Sequence, residues 1–62
     1  MIKKPKFEIF KDVVGLFRFR LIAPNGEVIL QSEGYTRKQG AKDTIKALRQ
    51  YVPVARVIDS TK

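Results

Sequence analysis

Residues 17–31 constrain the fold more than any other stretch. Phe17, Phe19, Leu21 and Ala23 alternate with Arg18, Arg20 and Ile22, the period of two that sends successive side chains to opposite faces of a strand. Pro24 suits the first central position of a type I turn, Asn25 tolerates the second, and Gly26 can take the left-handed conformation of a following bulge. Val28 and Leu30 then supply the apolar face of a return strand. Upstream, Phe7-Glu8-Ile9-Phe10 reads as a first strand, and Lys11-Asp12-Val13-Val14-Gly15 as the turn that follows, with Gly15 at its permissive position. Val13, Val14 and Leu16 are apolar for a hairpin loop; they are expected either to fold under the sheet or to face a partner.

Alternation assigns Phe7, Ile9, Phe17, Phe19, Leu21, Val28 and Leu30 to one face of a three-stranded sheet. Phe10, Ile22 and Ile29 share the other with Glu8, Arg18, Arg20, Glu27 and Gln31. Cross-strand pairing of Glu8 or Glu27 with Arg18 and Arg20 accounts for the charges. Ser32-Glu33-Gly34-Tyr35 leaves the sheet. Thr36-Arg37-Lys38-Gln39 has the form of a capping box, Thr36 accepting from the Gln39 amide while the Gln39 side chain reaches back. A helix is predicted over residues 37–51, since Pro53 disfavours helical geometry at Val52. Its buried stripe is Ala41, Ile45, Leu48 and Val52, and close packing on the sheet is the expected reason for Gly40. Residues 54–59 read as a short final strand, paired within its own chain or across to a second subunit.

A helix covers only one face of such a sheet, and 62 residues lie near the lower limit for independent folding. About twelve core-bound side chains at roughly 1.5–3 kcal/mol each do not visibly exceed the entropy of ordering the chain. There is no cysteine to make a disulfide. Self-association is therefore the expected supplement, and Phe10, Ile22 and Ile29 are the candidate dimer contacts.

Thirteen Lys and Arg against six Asp and Glu give a net charge of +7, which suits a polyanionic partner, nucleic acid first, but is more often an ordinary solvated surface. Lys38, Lys42, Lys46 and Arg49 form a ridge along the outer helix face, a candidate nucleic-acid contact that would follow phosphates without reading bases. Thr36, Arg37 and Lys38 at the helix start are a candidate small-anion site. With neither His nor Cys, the usual nucleophile–base pairs and zinc sites are excluded. The carboxylates are scattered, and no glycine-rich phosphate loop is present. No catalytic residue, metal or cofactor is expected, and the chain is not expected to be an enzyme. Met1-Ile2-Lys3-Lys4-Pro5 is followed by no long apolar run, so no membrane association is expected and the default location is cytoplasmic.

The blocks Phe19-Arg20-Leu21, Asn25-Gly26 and Ser32-Glu33-Gly34-Tyr35, in this order, resemble the YegP-like family of small domains of unknown function. Phe7-Glu8-Ile9-Phe10-Lys11-Asp12, Gly15, Ala23, Ile29, Lys38, Ala41, Ile45 and Val57-Ile58-Asp59 extend the likeness over nearly the whole chain. It departs at Phe19, where Trp is common, and at Val13-Val14, Pro24 and Asp43-Thr44. The resemblance implies three antiparallel strands packed by one helix, with a C-terminal strand. It also implies that a single-copy member forms a homodimer imitating the two-copy members, and it carries no assigned chemistry. The expectation is an α+β domain over residues 1–62, βββαβ in order, with a loose arm at 1–5 and a tail at 60–62.

Overall fold

The computed structural model describes residues 3–61; Met1, Ile2 and Lys62, which belong to the expected arm and tail, lie outside the described residues. Three strands, β1 (Lys6–Lys11), β2 (Phe17–Ile22) and β3 (Val28–Gln31), precede one helix, α1 (Lys38–Tyr51), and a 3-10 turn at Val52–Val54. The strands form an antiparallel meander with β2 central. Its first register pairs Phe7 with Leu21, Ile9 with Phe19 and Lys11 with Phe17. The apolar members of these pairs share the face that α1 covers, as alternation predicts.

Each hairpin is closed by its own sequence. In the first loop the Asp12 carboxylate accepts from the amides of Val14 and Leu16 at 3.1 and 2.9 Å, while Gly15 donates to the Asp12 carbonyl at 3.0 Å. Gly15 has φ +90°, a region that costs other residues dearly. Val13 and Val14 do not fold under the sheet; both are exposed, Val13 fully at 103%. In the second loop Gly26 donates to the Ala23 carbonyl at 2.9 Å, Ala23 donates to that of Glu27 at 2.8 Å, and Gly26 sits at φ +91°. This is the type I turn with a left-handed closing residue that Pro24-Asn25-Gly26 predicts.

The β2–β3 register slips between Leu21 and Ile22, so Leu30 lies opposite Leu21 but Val28 lies opposite Ile22. One extra residue in β3 absorbs the slip, which moves Val28 off the simple alternation that placed it beneath the helix. Ser32 completes the far end of the ladder: its amide donates to the Phe19 carbonyl at 2.8 Å and its hydroxyl accepts from the Phe19 amide at 2.9 Å. Tyr35 then bridges to Phe17 through a pair of backbone bonds at 2.7 and 2.8 Å.

The core is built on Phe19, 2% exposed. The Phe7 ring meets it edge-on at 6.0 Å and the Tyr35 ring lies parallel to it at 6.4 Å. Each such pair is worth about 0.5–1.5 kcal/mol beyond the area it buries. Ala41 is fully buried where α1 packs on β2. A Cβ on Gly40 would lie 3.2 Å from the Tyr35 ring, so it is the close approach of Tyr35, just before the helix, and not of a strand that favours glycine there. Ile45 and Leu48 are half-buried, but Val52 is 63% exposed: the chain tightens into the 3-10 turn there, and the stripe ends one turn early.

Two further expectations are corrected. The capping box does not form: Arg37 is the N-cap residue with no side-chain cap bond, and Gln39 Nε2 donates to Asp43 at 2.8 Å along the helix instead. The final strand expected over residues 54–59 is not formed among the described residues: Val54 belongs to the 3-10 turn, and nothing after it pairs with the sheet. Ala55 turns extended at ψ 134° after the 3-10 segment, and residues 55–61 run on as an exposed arm with no bridge to the sheet.

Gly34 faces a different constraint from Gly15 and Gly26. A Cβ there would lie 2.6 Å from Leu16 Cδ1 and 2.9 Å from its Cβ, so the stem of Leu16 must move and not just its tip. Gly34→Ala is expected to cost about 1–3 kcal/mol in urea denaturation. Paired with Leu16→Gly, which removes the whole contacting side chain, it should cost less than the sum of the two single changes. Strict additivity would show that the contact is not the cause.

Candidate functional site

α1 packs on β2 with Ala41 buried, and a groove lies between its later turns and β1 and β2. Phe7, Ile9, Leu21 and Ile45 line it together with Pro5, Lys6, Lys42 and Arg49, around a volume of about 520 Å³. A second hollow of about 350 Å³ shares Phe7, Leu21 and Arg49 and reaches β3 through Leu30, Leu48, Val52 and Pro53. The groove thus has an apolar floor and cationic sides. Lys46 joins Lys42 and Arg49 at an outer depression with Ile45 and Gln50.

Three of the four ridge residues, Lys42, Lys46 and Arg49, are therefore brought together, while Lys38 stands apart at the start of α1 and lines none of these hollows. Lys6 joins them from β1. Sequence reasoning missed it because alternation assigns it to the face away from the helix. Thr36, Arg37 and Lys38 are all exposed, and the hydroxyl that was to complete an anion site makes no cap bond.

The opposite face carries two ion pairs. Arg20 Nε donates to Glu8 Oε1 at 2.6 Å, the cross-strand pairing expected from the sequence, and its guanidinium lies 4.6 Å from the Phe10 ring centroid. Phe10 and Ile22 are half-buried there; Ile29, on β3, is 60% exposed. Arg18 turns instead to Asp12, Nε to Oδ2 at 2.6 Å, and its Nη1 donates to the Ser32 carbonyl at 3.0 Å. The Asp12 pairing was not foreseen because the loop folds back beside β2. The Arg18 hydrogen bond, reinforced by the Leu16 amide, holds the Asp12 carboxyl below its ordinary 3.8. The Thr61 hydroxyl and amide do the same for Asp59 in the arm.

A three-stranded meander with one helix laid across a single face defines a small α+β domain. The family model described as a domain of unknown function, DUF1508, matches residues 12–59, and the chain belongs to that family. It is 45% identical over 56 residues to the UPF0339 protein Atu5359 of Agrobacterium fabrum, covering 90% of each chain. It is 48% identical over 54 residues to a UPF0339 protein of Treponema denticola, covering 87% of this chain and 93% of that one. A longer relative, the UPF0339 protein in the ptx operon 5′ region of Stutzerimonas stutzeri, is 47% identical over 47 residues, which make up 42% of its length. Among solved structures, the NMR solution structure of a protein from Haloferax volcanii superposes with a TM-score of 0.82 at 37% identity, covering 95% of this chain and all of that one. The YegP-like resemblance agrees with this membership, and so do the α+β class and the antiparallel sheet with one helix.

Because the folded Asp12 carboxyl gives up its proton more readily than the unfolded one, its contribution to stability is present above 3.8. That contribution is lost as pH falls through the lower folded value. Carboxyl NMR should show Asp12 titrating below 3.8 in the native protein. Asp12→Asn should remove that part of the acid dependence. A midpoint at or above 3.8 would mean that the Arg18 pair does not hold in solution.

Proposed function

We propose that this chain is a binding module, not a catalyst, and that its working unit is a homodimer. The supporting observation is area. The chain exposes 5611 Å², whereas a compact protein of its mass exposes about 4,100 Å². The surplus, about 1,500 Å², is roughly twice what each partner buries in a standard interface. The radius of gyration, 13.6 Å, likewise exceeds the roughly 10.5 Å of a compact chain this long. The extended arm at 55–61 adds to both, and β3 and the end of α1 are exposed as well. The longer Stutzerimonas relative has room for a second domain of this size in one chain.

The cationic groove favours a second reading, that the dimer binds phosphate-bearing polymers. Lys6 approaches the groove from the sheet and Lys42 and Arg49 from the helix, with Lys46 at the adjoining outer depression, so the charge does not merely follow one helix.

Sedimentation equilibrium across the micromolar range is expected to give twice the 7.1 kDa chain mass. A monomeric mass throughout would overturn the dimer. Titration of labelled protein with short RNA is expected to shift Lys6, Lys42, Lys46 and Arg49 together. The log of affinity should fall against log salt with a slope of about −0.7 per phosphate contacted. Diffuse shifts that vanish at physiological salt would reduce the groove to surface charge.

A further inference from the structure

We infer that the groove between α1 and the sheet is a binding site for a small amphipathic anion. Its single nonpolar chain lies along the apolar floor, and its anionic head sits among Lys6, Lys42 and Arg49. The inference goes beyond the polymer reading above, because it uses the floor of the groove and not the outer ridge.

The floor is apolar surface that the fold leaves unfinished. Phe7, Ile9 and Leu21 lie on the sheet face that α1 covers, and Ile45 and Leu48 lie on the helix stripe that covers it. All five are only half-buried, whereas Phe19 and Ala41 reach full burial. Side chains of this kind gain from any further removal from water. The two hollows, of about 520 and 350 Å³, share Phe7, Leu21 and Arg49, so they form one continuous track. Both volumes fall in the range of small-molecule sites, roughly 300–1,000 Å³, which likewise pair a mostly apolar lining with a few placed polar groups.

Charge is graded along that track. Lys6 and Lys42 line the first hollow only, Arg49 lies where the two hollows meet, and Leu30, Leu48, Val52 and Pro53 line the second with no further ionisable group. No Asp or Glu lines either hollow. Among the described residues the ion pairs engage Arg18 and Arg20, on the opposite face of the sheet, so the three groove cations meet no carboxylate of their own chain. Three like charges around one recess are relieved by an anion placed among them. A cationic end that runs into an apolar end fits one chain with one charged terminus. A polymer of phosphates carries charge at every step and would leave the floor uncovered.

The test uses the full chain with labelled methyl groups, titrated with decanoate below its aggregation limit and, in parallel, with decanol and acetate. Decanoate is expected to shift Ile9, Leu21, Ile45 and Leu48 together and saturably, with a dissociation constant in the high-micromolar to low-millimolar range of a ligand this size. Acetate should leave them unmoved, and decanol should bind more weakly than decanoate. The double change Lys42→Gln/Arg49→Gln alters two exposed side chains, so the fold should persist while decanoate affinity falls roughly 10-fold, toward that of decanol. Shifts that are absent, or that spread over Val13, Val14 and the arm without saturating, overturn the site. Equal affinity for decanol, or a double change that costs nothing, removes the role of the cations and overturns the proposal. The outcome is separable from the RNA titration. A protein that takes decanoate but ignores RNA keeps this site and loses the polymer reading; one that takes RNA but ignores decanoate does the reverse.

Discussion

The packing of Phe7, Phe19 and Tyr35 is the contact on which the rest of this small structure depends. Phe19 is central in the central strand, and among the described residues Phe19 and Ala41 alone are buried. The three rings come from β1, from β2 and from the segment leading into α1, so one cluster joins elements that backbone pairing alone would leave hinged. Gly40 and Ala41 carry no bulk because the Tyr35 ring and the strand beneath must come close. A core so thin leaves little surplus over conformational entropy. Most of the remaining apolar surface stays half-covered or bare.

The parts of the fold legible in the sequence are those fixed by local chemistry. Pro24-Asn25-Gly26 specified its turn through φ requirements that few other residues meet, and the alternation in β1 and β2 named the face to be covered. Tyr35 was harder, because its place against Phe19 depends on a backbone bridge to Phe17 that spacing does not reveal. Thr36 and Gln39 matched a capping pattern, yet Asp43, one turn onward, offered the Gln39 side chain an alternative partner on the helix surface. The β3 bulge was invisible because Val28, Ile29 and Leu30 are all apolar and any of them fits either face. At the site, the helix spacing of Lys42, Lys46 and Arg49 was readable; the approach of Lys6 required the tertiary arrangement.

Charge is unevenly used across the molecule. On the open face the guanidinium groups of Arg18 and Arg20 are both engaged, by Asp12 and Glu8, and serve the sheet. Around the groove the cations stand beside apolar side chains. A field of that kind draws anions toward a surface that also offers contact to their nonpolar parts. Arginine is not replaceable by lysine at position 20, where a planar group both stacks on Phe10 and reaches Glu8.

The meander order has a kinetic consequence. Each strand pair joins neighbours along the chain through a five-residue loop, residues 12–16 and 23–27, so the contacts that define the sheet span short sequence distances. Such contacts form early, because little loop entropy opposes them. The sheet therefore assembles on the fast side of the folding range, ahead of any event that must wait for two molecules to collide. In the proposed dimer the encounter of two copies would follow, at a rate set by how many copies are nearby.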